Sequence, residues 1–450
     1  MDLKTTRVGF VCLGASEAPS AERLRRTAEH SRKYIQKQEP FELIATEGMV
    51  WGREGAAAAA DLFRRSGIDA LVIQHATFAP DSLTLELISG LNVPIAVWGL
   101  PEPPFDGSAR WCGSMSSLLM HTSALTHRGR RFNFVFGDPD SASARKALDG
   151  FLKAAAVRRT LRSCTIGLLS HRGPGFHTAG IDSFTLKEMF GPVVLYVDAA
   201  ALARIYGRIT DADTQRDLAQ CQAEGWANEV DSADLLRQCI RSYLAICAMQ
   251  REQGLDALST HRPYEGIPPA ESGVCLAQSR LTNQGLMTNT DDDLSGLLTM
   301  IMQHLLTMRP VFSAEWVQLD ERANQILFWN PSGGPASLAN PRLRPAMRRI
   351  YSGLDCVTVE FPLKPGDVTM ARLIVSRGRY RLLVARGRAV EIDPVMRGAC
   401  VSVKFERDVN DILRTILDNG FPHRYALVYQ DVAAELSELA GMLGIDVITT

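Results

Sequence analysis

The first hundred residues alternate short apolar segments with polar, helix-favouring ones, and this alternation constrains the fold more than any other feature. The apolar segments lie at 7–13, 42–46, 70–74 and 94–98. Apolar strands separated by helices are typical of a parallel sheet that is covered on both faces. The sequence therefore predicts a Rossmann-like α/β domain over residues 1–160.

Two further regions follow this domain. Strands at 164–169 and 193–197, with a largely helical stretch over 211–253, predict a second Rossmann-like parallel-sheet domain over 161–312. Beyond it, short strands are separated by KPGD, SRGR and ARGR, which place Gly or Pro at turn positions. This pattern predicts a β-rich, barrel-like C-terminal domain over 313–450. A chain of 450 residues is also too long for one ordinary core.

Composition and short motifs exclude several classes of function. A net charge of −1 lacks the surplus of Lys and Arg that nucleic acids or anionic membranes require. The apolar run at 8–13 is too short for a signal-peptide core or a membrane span. Nine scattered cysteines without a CxxC pair favour reduced thiols, so a cytoplasmic protein is predicted. The sequence contains neither GxGxxG after the first strand nor GxxxxGK[ST], which argues against a nucleotide site.

Acidic residues stand out in the segment 285–338. Asp291, Asp292 and Asp293 precede an apolar helix whose periodicity predicts packing along one side. Such a triplet favours an N-cap with a favourable charge–dipole placement. It also suits an acid/base or metal site together with Glu315 and with His423 of the C-terminal region. Both interpretations can hold, since one Asp can cap the helix while another faces a cleft.

Eight segments in a fixed order resemble one enzyme family. They are QHATF, VPIAVWGLPEP, IGLLSHRGPGF, GVCLAQSRLTNQGLMTNTDDD, SAEW, WNPSGGPASLA, PLKPGDVTMARL and GFPHRYALVYQD. Over nearly the whole chain they resemble the L-fucose/L-arabinose isomerase family of aldose–ketose isomerases. The resemblance rests on the order of the segments rather than on any single motif.

This resemblance implies a chemistry and a ligand set. Members of the family bind a divalent metal, typically Mn²⁺, between two carboxylates and a histidine, and move a proton between C1 and C2 of a sugar through an ene-diol. By position, Asp291, Glu315 and His423 are the expected ligands of Mn²⁺ (or Mg²⁺), with Asp291 and Glu315 as the catalytic residues. A small-molecule sugar substrate and a homo-oligomer, a trimer or hexamer, are also implied.

The sequence departs from the family pattern at the predicted site. Asp291 and Glu315 exchange the usual Glu and Asp, and Asn330 replaces a histidine. Arg424 replaces the second histidine of a His-His pair, which adds a permanent cation that disfavours a metal and favours an anionic group on the substrate. Gln74, Trp98 and Glu102 are expected to reach a neighbouring subunit's site. The predicted substrate-binding residues are Gln74, Trp98, Glu102, Arg172, Asn330 and Arg424.

Three functions are compatible with these residues. The first is a metal-dependent aldose–ketose isomerase, in which Asp291 and Glu315 flank the C1–C2 bond. The second is an isomerase, or another metal-dependent enzyme, that acts on an acidic or sulfonated sugar, as Arg424 suggests. The third is a non-catalytic sugar-binding member of the family, motivated by Asn330 and Arg424. The residues leave open which sugar and metal are used and which carboxylate is the base.

Overall fold

The structure, a computed structural model, divides the chain into two compact units. It describes residues 1–14, 21–102, 112–169, 177–179, 182–260, 270–352 and 355–450. The small unit comprises Leu3–Thr160 and Ser437–Gly444, and the large unit comprises Met1–Asp2, Leu161–Leu436 and Ile445–Thr450. The predicted second domain, and the predicted third domain apart from residues 437–444, lie in the large unit.

The small unit is built on a five-stranded sheet. All of its strand pairs are parallel, and its apolar strands are covered by helices, as predicted. The strands are β1 (Thr6–Leu13), β2 (Phe41–Val50), β3 (Ala70–His75), β4 (Ile95–Gly99) and β5 (Asn133–Phe136), in the spatial order β2-β1-β3-β4-β5. The helices are α1 (Ala21–Gln36), α2 (Gly52–Ser66), α3 (Ser82–Leu87), α4 (Ser114–His127) and α5 (Ala142–Leu161).

The large unit contains a second parallel sheet and several helices. The strands in this part of the chain are β6 (Thr165–Leu169), β7 (Val193–Val197), β8 (Ala227–Asn228), β9 (Ala257–Thr260) and β10 (Thr288–Thr290). Four of them form the sheet in the order β10-β9-β6-β7, and every pair is parallel. The helices are α6 (Ser183–Met189), α7 (Ala199–Arg208), α8 (Asp211–Ala223), α9 (Ala233–Gln253), α10 (Ala270–Asn283) and α11 (Leu294–Thr307).

In the last part of the chain, residues 311–450, a mainly antiparallel sheet of the large unit closes into a barrel. The remaining elements are β11 (Val311–Asp320), β12 (Gln325–Asn330), β13 (Ala346–Arg349), β14 (Val357–Pro362), β15 (Gly366–Ser376), β16 (Arg379–Val390), β17 (Ala399–Phe405), α12 (Val409–Asn419), β18 (Arg424–Val428), α13 (Ala433–Leu443) and β19 (Asp446–Thr449). Strands β11, β12, β17, β16, β15 and β18 pair in a closed ring, because β16 also pairs with β17. The ring confirms the predicted barrel-like domain.

Helix α11 packs between the parallel sheet and the barrel. It contacts β9 on one side and β11, β15 and β18 on the other. All residues from Leu294 to Leu306 are buried, so the helix is enclosed on every side rather than packed along one side as predicted. Polar side chains of α11 find backbone partners in the barrel: Thr299 Oγ1 accepts a hydrogen bond from Leu373 N, and Gln303 Nε2 donates to Thr369 O. No helix among the residues described is long and apolar enough to cross a membrane.

Two buried histidines lie near the carboxyl end of β3 in the small unit. The rings of His75 and His121 are 4.4 Å apart, and neither residue is exposed to solvent. His75 Nδ1 lies 3.0 Å from Ser117 Oγ, and His121 Nε2 donates to Ala79 O. Burial lowers the pKa of both imidazoles, and the proximity of His121 lowers the pKa of His75 further. Both rings are therefore neutral in the folded protein near pH 7.

This pair predicts a pH-dependent loss of stability. As pH falls below about 6.5, the unfolded chain binds protons that the buried imidazoles do not, so the free energy of unfolding decreases. Each histidine contributes at most about 1.4 kcal/mol per pH unit within its window. His75→Asn should flatten the dependence measured by urea unfolding between pH 7 and 5. His127→Asn, at an exposed position of α4, is the control. Equal slopes in wild type and His75→Asn would contradict the assignment.

Candidate active site

The site begins at the turn that leads from β10 into α11. Asp291 and Asp292 both adopt left-handed backbone conformations, with φ of 70° and 52°. Residues other than glycine seldom adopt this region, and strain of this kind is concentrated at functional sites. Asp291 N donates to Thr260 O at 2.7 Å, which ties the turn to the end of β9. The turn thus directs successive carboxylates in different directions.

Asp293 is the N-cap of α11. Its Oδ1 accepts a hydrogen bond from Gly296 N at 3.0 Å, and both of its oxygens contact Arg372 of β15, at 2.5 and 2.9 Å. The two side chains are only 7% and 3% exposed. Burial raises the pKa of the Asp293 carboxyl, but the Arg372 guanidinium and the Gly296 N–H outweigh it, so the pKa lies below its ordinary value. The cap interpretation therefore holds for Asp293.

Arg424 joins Asp291 and Glu315. Its Nη2 lies 2.5 Å from Asp291 Oδ2 and 2.9 Å from Glu315 Oε1, and its Nη1 donates to Thr290 Oγ1. Glu315 and Arg424 are direct partners in the register of β11 and β18, which places the two side chains together. Exposure of the side chains is 10% for Asp291, 11% for Arg424 and 25% for Glu315. This cluster, Asp291, Glu315 and Arg424, is called the carboxylate–guanidinium cluster below.

His423 lies beside the cluster, directly before β18. Its carbonyl oxygen accepts a hydrogen bond from Trp316 N at 3.0 Å, and the residue is solvent-exposed. The pKa of its imidazole is lowered, first by partial desolvation and then by the positive charge of Arg424. The ring is therefore neutral near pH 7.

The expected Mn²⁺ site requires Asp291, Glu315 and His423 to surround one common position. Among the residues that the structure describes, no group of three or more His, Cys, Asp or Glu side chains is placed to hold a metal ion. The position between the Asp291 and Glu315 oxygens is taken by a guanidinium nitrogen. As folded, these two oxygens fit a guanidinium and not a divalent cation, so we assign no step of the reaction to a metal. The manganese site stays a prediction.

Comparisons with known proteins identify the family. Residues 16–162 match the model of the fucose/sulfoquinovose isomerase N-terminal domain, and residues 331–450 match that of the L-fucose isomerase C-terminal domain. The chain belongs to the L-fucose isomerase family. This result confirms the predicted resemblance and the prediction that the protein is an isomerase.

Three curated relatives are similar to the chain over most of its length. The chain is 26% identical over 395 residues to a protein of Alkalicoccus urumqiensis, covering 84% of this chain and 86% of the relative. It is 26% identical over 412 residues to a protein of Priestia aryabhattai, covering 90% of both chains. It is 24% identical over 392 residues to a protein of Clostridium sp. (strain MSTE9), covering 84% and 85%. All three relatives are named sulfoquinovose isomerase.

The predicted substrate-binding residues are divided between the two units. Gln74, Trp98 and Glu102 all lie in the small unit, where each has an internal partner. Gln74 Nε2 donates to Ser31 Oγ, and Trp98 Nε1 donates to Gly137 O. Glu102 accepts hydrogen bonds from the backbone at the start of α4, those of residues 112–114. Their proposed roles in a neighbouring subunit's site stay predictions.

The other predicted substrate-binding residues belong to the large unit. Asn330 is buried; its Nδ2 donates to Ser313 O at 2.7 Å, and its Oδ1 accepts from Ser332 N at 2.9 Å. The first bond holds the end of β12 against β11 and the second closes the turn that follows β12, so in this isomerase Asn330 stabilises the backbone next to the cluster. Arg172 lies outside the described residues.

Two residues of the isomerase that contact the acidic turn were not predicted. Arg372 interrupts the apolar run of β15, and a charge inside a buried strand requires a buried partner. That interruption is a signal that the sequence carries. No sequence signal marks Thr290, because its contact with Arg424 depends on the packing of β10 against the barrel strand β18.

The buried pair of Asp293 and Arg372 predicts a large stability effect. Asp293→Asn should destabilise the isomerase by about 3–5 kcal/mol, because it leaves the Arg372 charge buried without its partner. Asp367→Asn is the matched control, since Asp367 and Arg388 form a pair whose side chains are 71% and 66% exposed. The control should change stability by at most about 1 kcal/mol. Similar denaturant midpoints for the two variants would contradict the structural role of Asp293.

Proposed function

We propose that the protein interconverts the aldose and ketose forms of an anionic, sulfonated sugar. Family membership supports the reaction class, and the names of the relatives, sulfoquinovose isomerase, support a sulfonated substrate. Arg424 does not itself support the sulfonated substrate, because its guanidinium is engaged by Asp291, Glu315 and Thr290.

One observation carries the catalytic part of the proposal. Asp291 precedes α11 and Glu315 lies on β11, yet their carboxylates meet at a single nitrogen of Arg424. Two carboxylates so close together, one of them a quarter exposed, can act on neighbouring carbons of one small molecule. Side chains that transfer protons in this way accelerate reactions by about 10²–10⁴-fold.

The reaction requires only proton transfers within the sugar. A carboxylate removes the proton from C2, the C2–H electrons form the C1–C2 double bond, and the C1 carbonyl oxygen becomes a hydroxyl of the ene-diol. The hydroxyl at C2 then loses its proton as the C2 carbonyl forms, and C1 receives a proton. Asp291 and Glu315 are the residues to which we assign these transfers, and no oxidant or reductant is consumed.

Substitution of the carboxylates tests this assignment. Glu315→Gln and Asp291→Asn should each lower kcat for sulfoquinovose isomerisation by at least about 10²-fold, because an amide does not accept the proton. Glu321→Gln, at an exposed position of the turn between β11 and β12, should retain wild-type activity. The ketose product is measured by chromatography, and folding is checked by circular dichroism. Full activity of Glu315→Gln would refute the assignment.

Substrate preference is tested with two matched sugars. Sulfoquinovose and D-glucose differ only in the sulfonate that replaces the hydroxyl at C6, so the ratio of their kcat/KM values reports the contribution of the anion. We expect sulfoquinovose to be preferred by at least about tenfold, the equivalent of one charge-assisted hydrogen bond. Equal kcat/KM values for the two sugars would contradict the proposed substrate class while leaving the isomerase assignment intact.

A further inference from the structure

We propose that Arg424 takes the place of a divalent metal ion in this enzyme and that Asp291 and Glu315 are held for catalysis by its guanidinium. The catalytic part of this inference rests on the proposed isomerisation. The part that concerns metal binding depends only on the geometry of the cluster.

The distances leave no room for both cations. Arg424 Nη2 lies within hydrogen-bonding distance of Asp291 Oδ2 and of Glu315 Oε1 at once. A divalent ion that bound both oxygens at its usual distance of about 2.0–2.2 Å would compete with this nitrogen for the same two oxygens. It would also be repelled by the positive charge of the guanidinium. One cation therefore excludes the other.

The position of Arg424 is fixed by the fold rather than by chance contact. Its backbone belongs to β18, paired with Glu315 across the sheet, and its Nη1 is held by Thr290 Oγ1 at the end of β10. Only 9% of the residue is exposed. Moving the guanidinium aside would separate the two partly buried carboxylates from its positive charge, which is costly for charged groups shielded from water.

The charge of the cluster suits proton transfer. Two carboxylates and one guanidinium give the cluster a formal charge of −1, and we assign the acceptance of the proton from C2 to one of these carboxylates. The guanidinium holds both carboxylates in place before a substrate binds, as preorganised groups do in other active sites. Arg424 is thus a positioning residue that acts through Asp291 and Glu315.

Direct measurement of metal binding tests the inference without an activity assay. The purified protein is treated with EDTA and titrated with MnCl₂, and bound Mn²⁺ is followed by electron paramagnetic resonance. Wild type and Glu315→Gln should bind Mn²⁺ equally, because the wild type has no Mn²⁺ site that depends on Glu315. Arg424→Ala should gain a Mn²⁺ site that binds at least about tenfold more tightly than any residual binding by the wild type, because the competing charge is gone. Arg388→Ala, at an exposed position on β16, is the control and should behave as wild type. A stoichiometric wild-type site that is lost in Glu315→Gln would overturn the inference.

Activity provides the second measurement. Wild-type isomerisation of sulfoquinovose should be unchanged after chelation, whereas Arg424→Ala should lose at least about 10²-fold in kcat and recover part of it when guanidinium chloride is added at millimolar concentration. Loss of wild-type activity on chelation, with recovery on adding Mn²⁺, would overturn the inference. If no sugar is isomerised by the wild type, the proposed function fails, and the Mn²⁺ titration alone decides whether Arg424 occupies the metal position.

Discussion

The buried ion pair between Asp293 and Arg372 is the interaction on which the site depends. Helix α11 is enclosed on every side, so the N–H groups of its first turn require a partner within the protein. Arg372, inside a barrel strand, requires a buried negative charge. The carboxylate of Asp293 meets both needs, because one oxygen accepts from Gly296 N while both contact the guanidinium. Gly296 is required there, since a Cβ at this position would overlap both partners.

The carboxylate–guanidinium cluster is also held together by ion pairs between carboxylates and an arginine, at a more exposed position. Asp293 anchors the start of α11, so Asp291, two residues earlier, is directed toward the edge of the barrel, where Arg424 and Glu315 are paired across two strands. Arg424 also contributes to the lowered pKa of Asp293, which shows that the two groups share one electrostatic environment. The two groups differ in exposure to solvent. The Asp293–Arg372 pair is buried, whereas the Glu315 side chain of the cluster is 25% exposed.

Most of the fold could be predicted, because its strands are marked by local patterns. The predicted strand at 193–197 matches β7 at both ends. Three elements were missed in the small unit: α4, β5 and α5. Helix α4 is rich in Ser, Thr and His, which are weak helix formers, and β5 has only four residues, too few for a clear period. Helix α10 of the large unit was also not predicted.

The sequence by itself supplied the residues to which we assign chemistry: an acidic triplet before an apolar helix, Glu315 between two apolar runs, and a His-Arg pair near the C-terminus. It also determined that one Asp could cap the helix while another faced a cleft. Only the tertiary structure decided that Asp293 is the cap, that Asn330 is engaged by the backbone, and that Arg424 lies between the two carboxylates. These outcomes depend on the register of β11 against β18 and on the enclosure of α11 by the barrel. Both join residues that are far apart in the chain, and local patterns carry no information about such contacts.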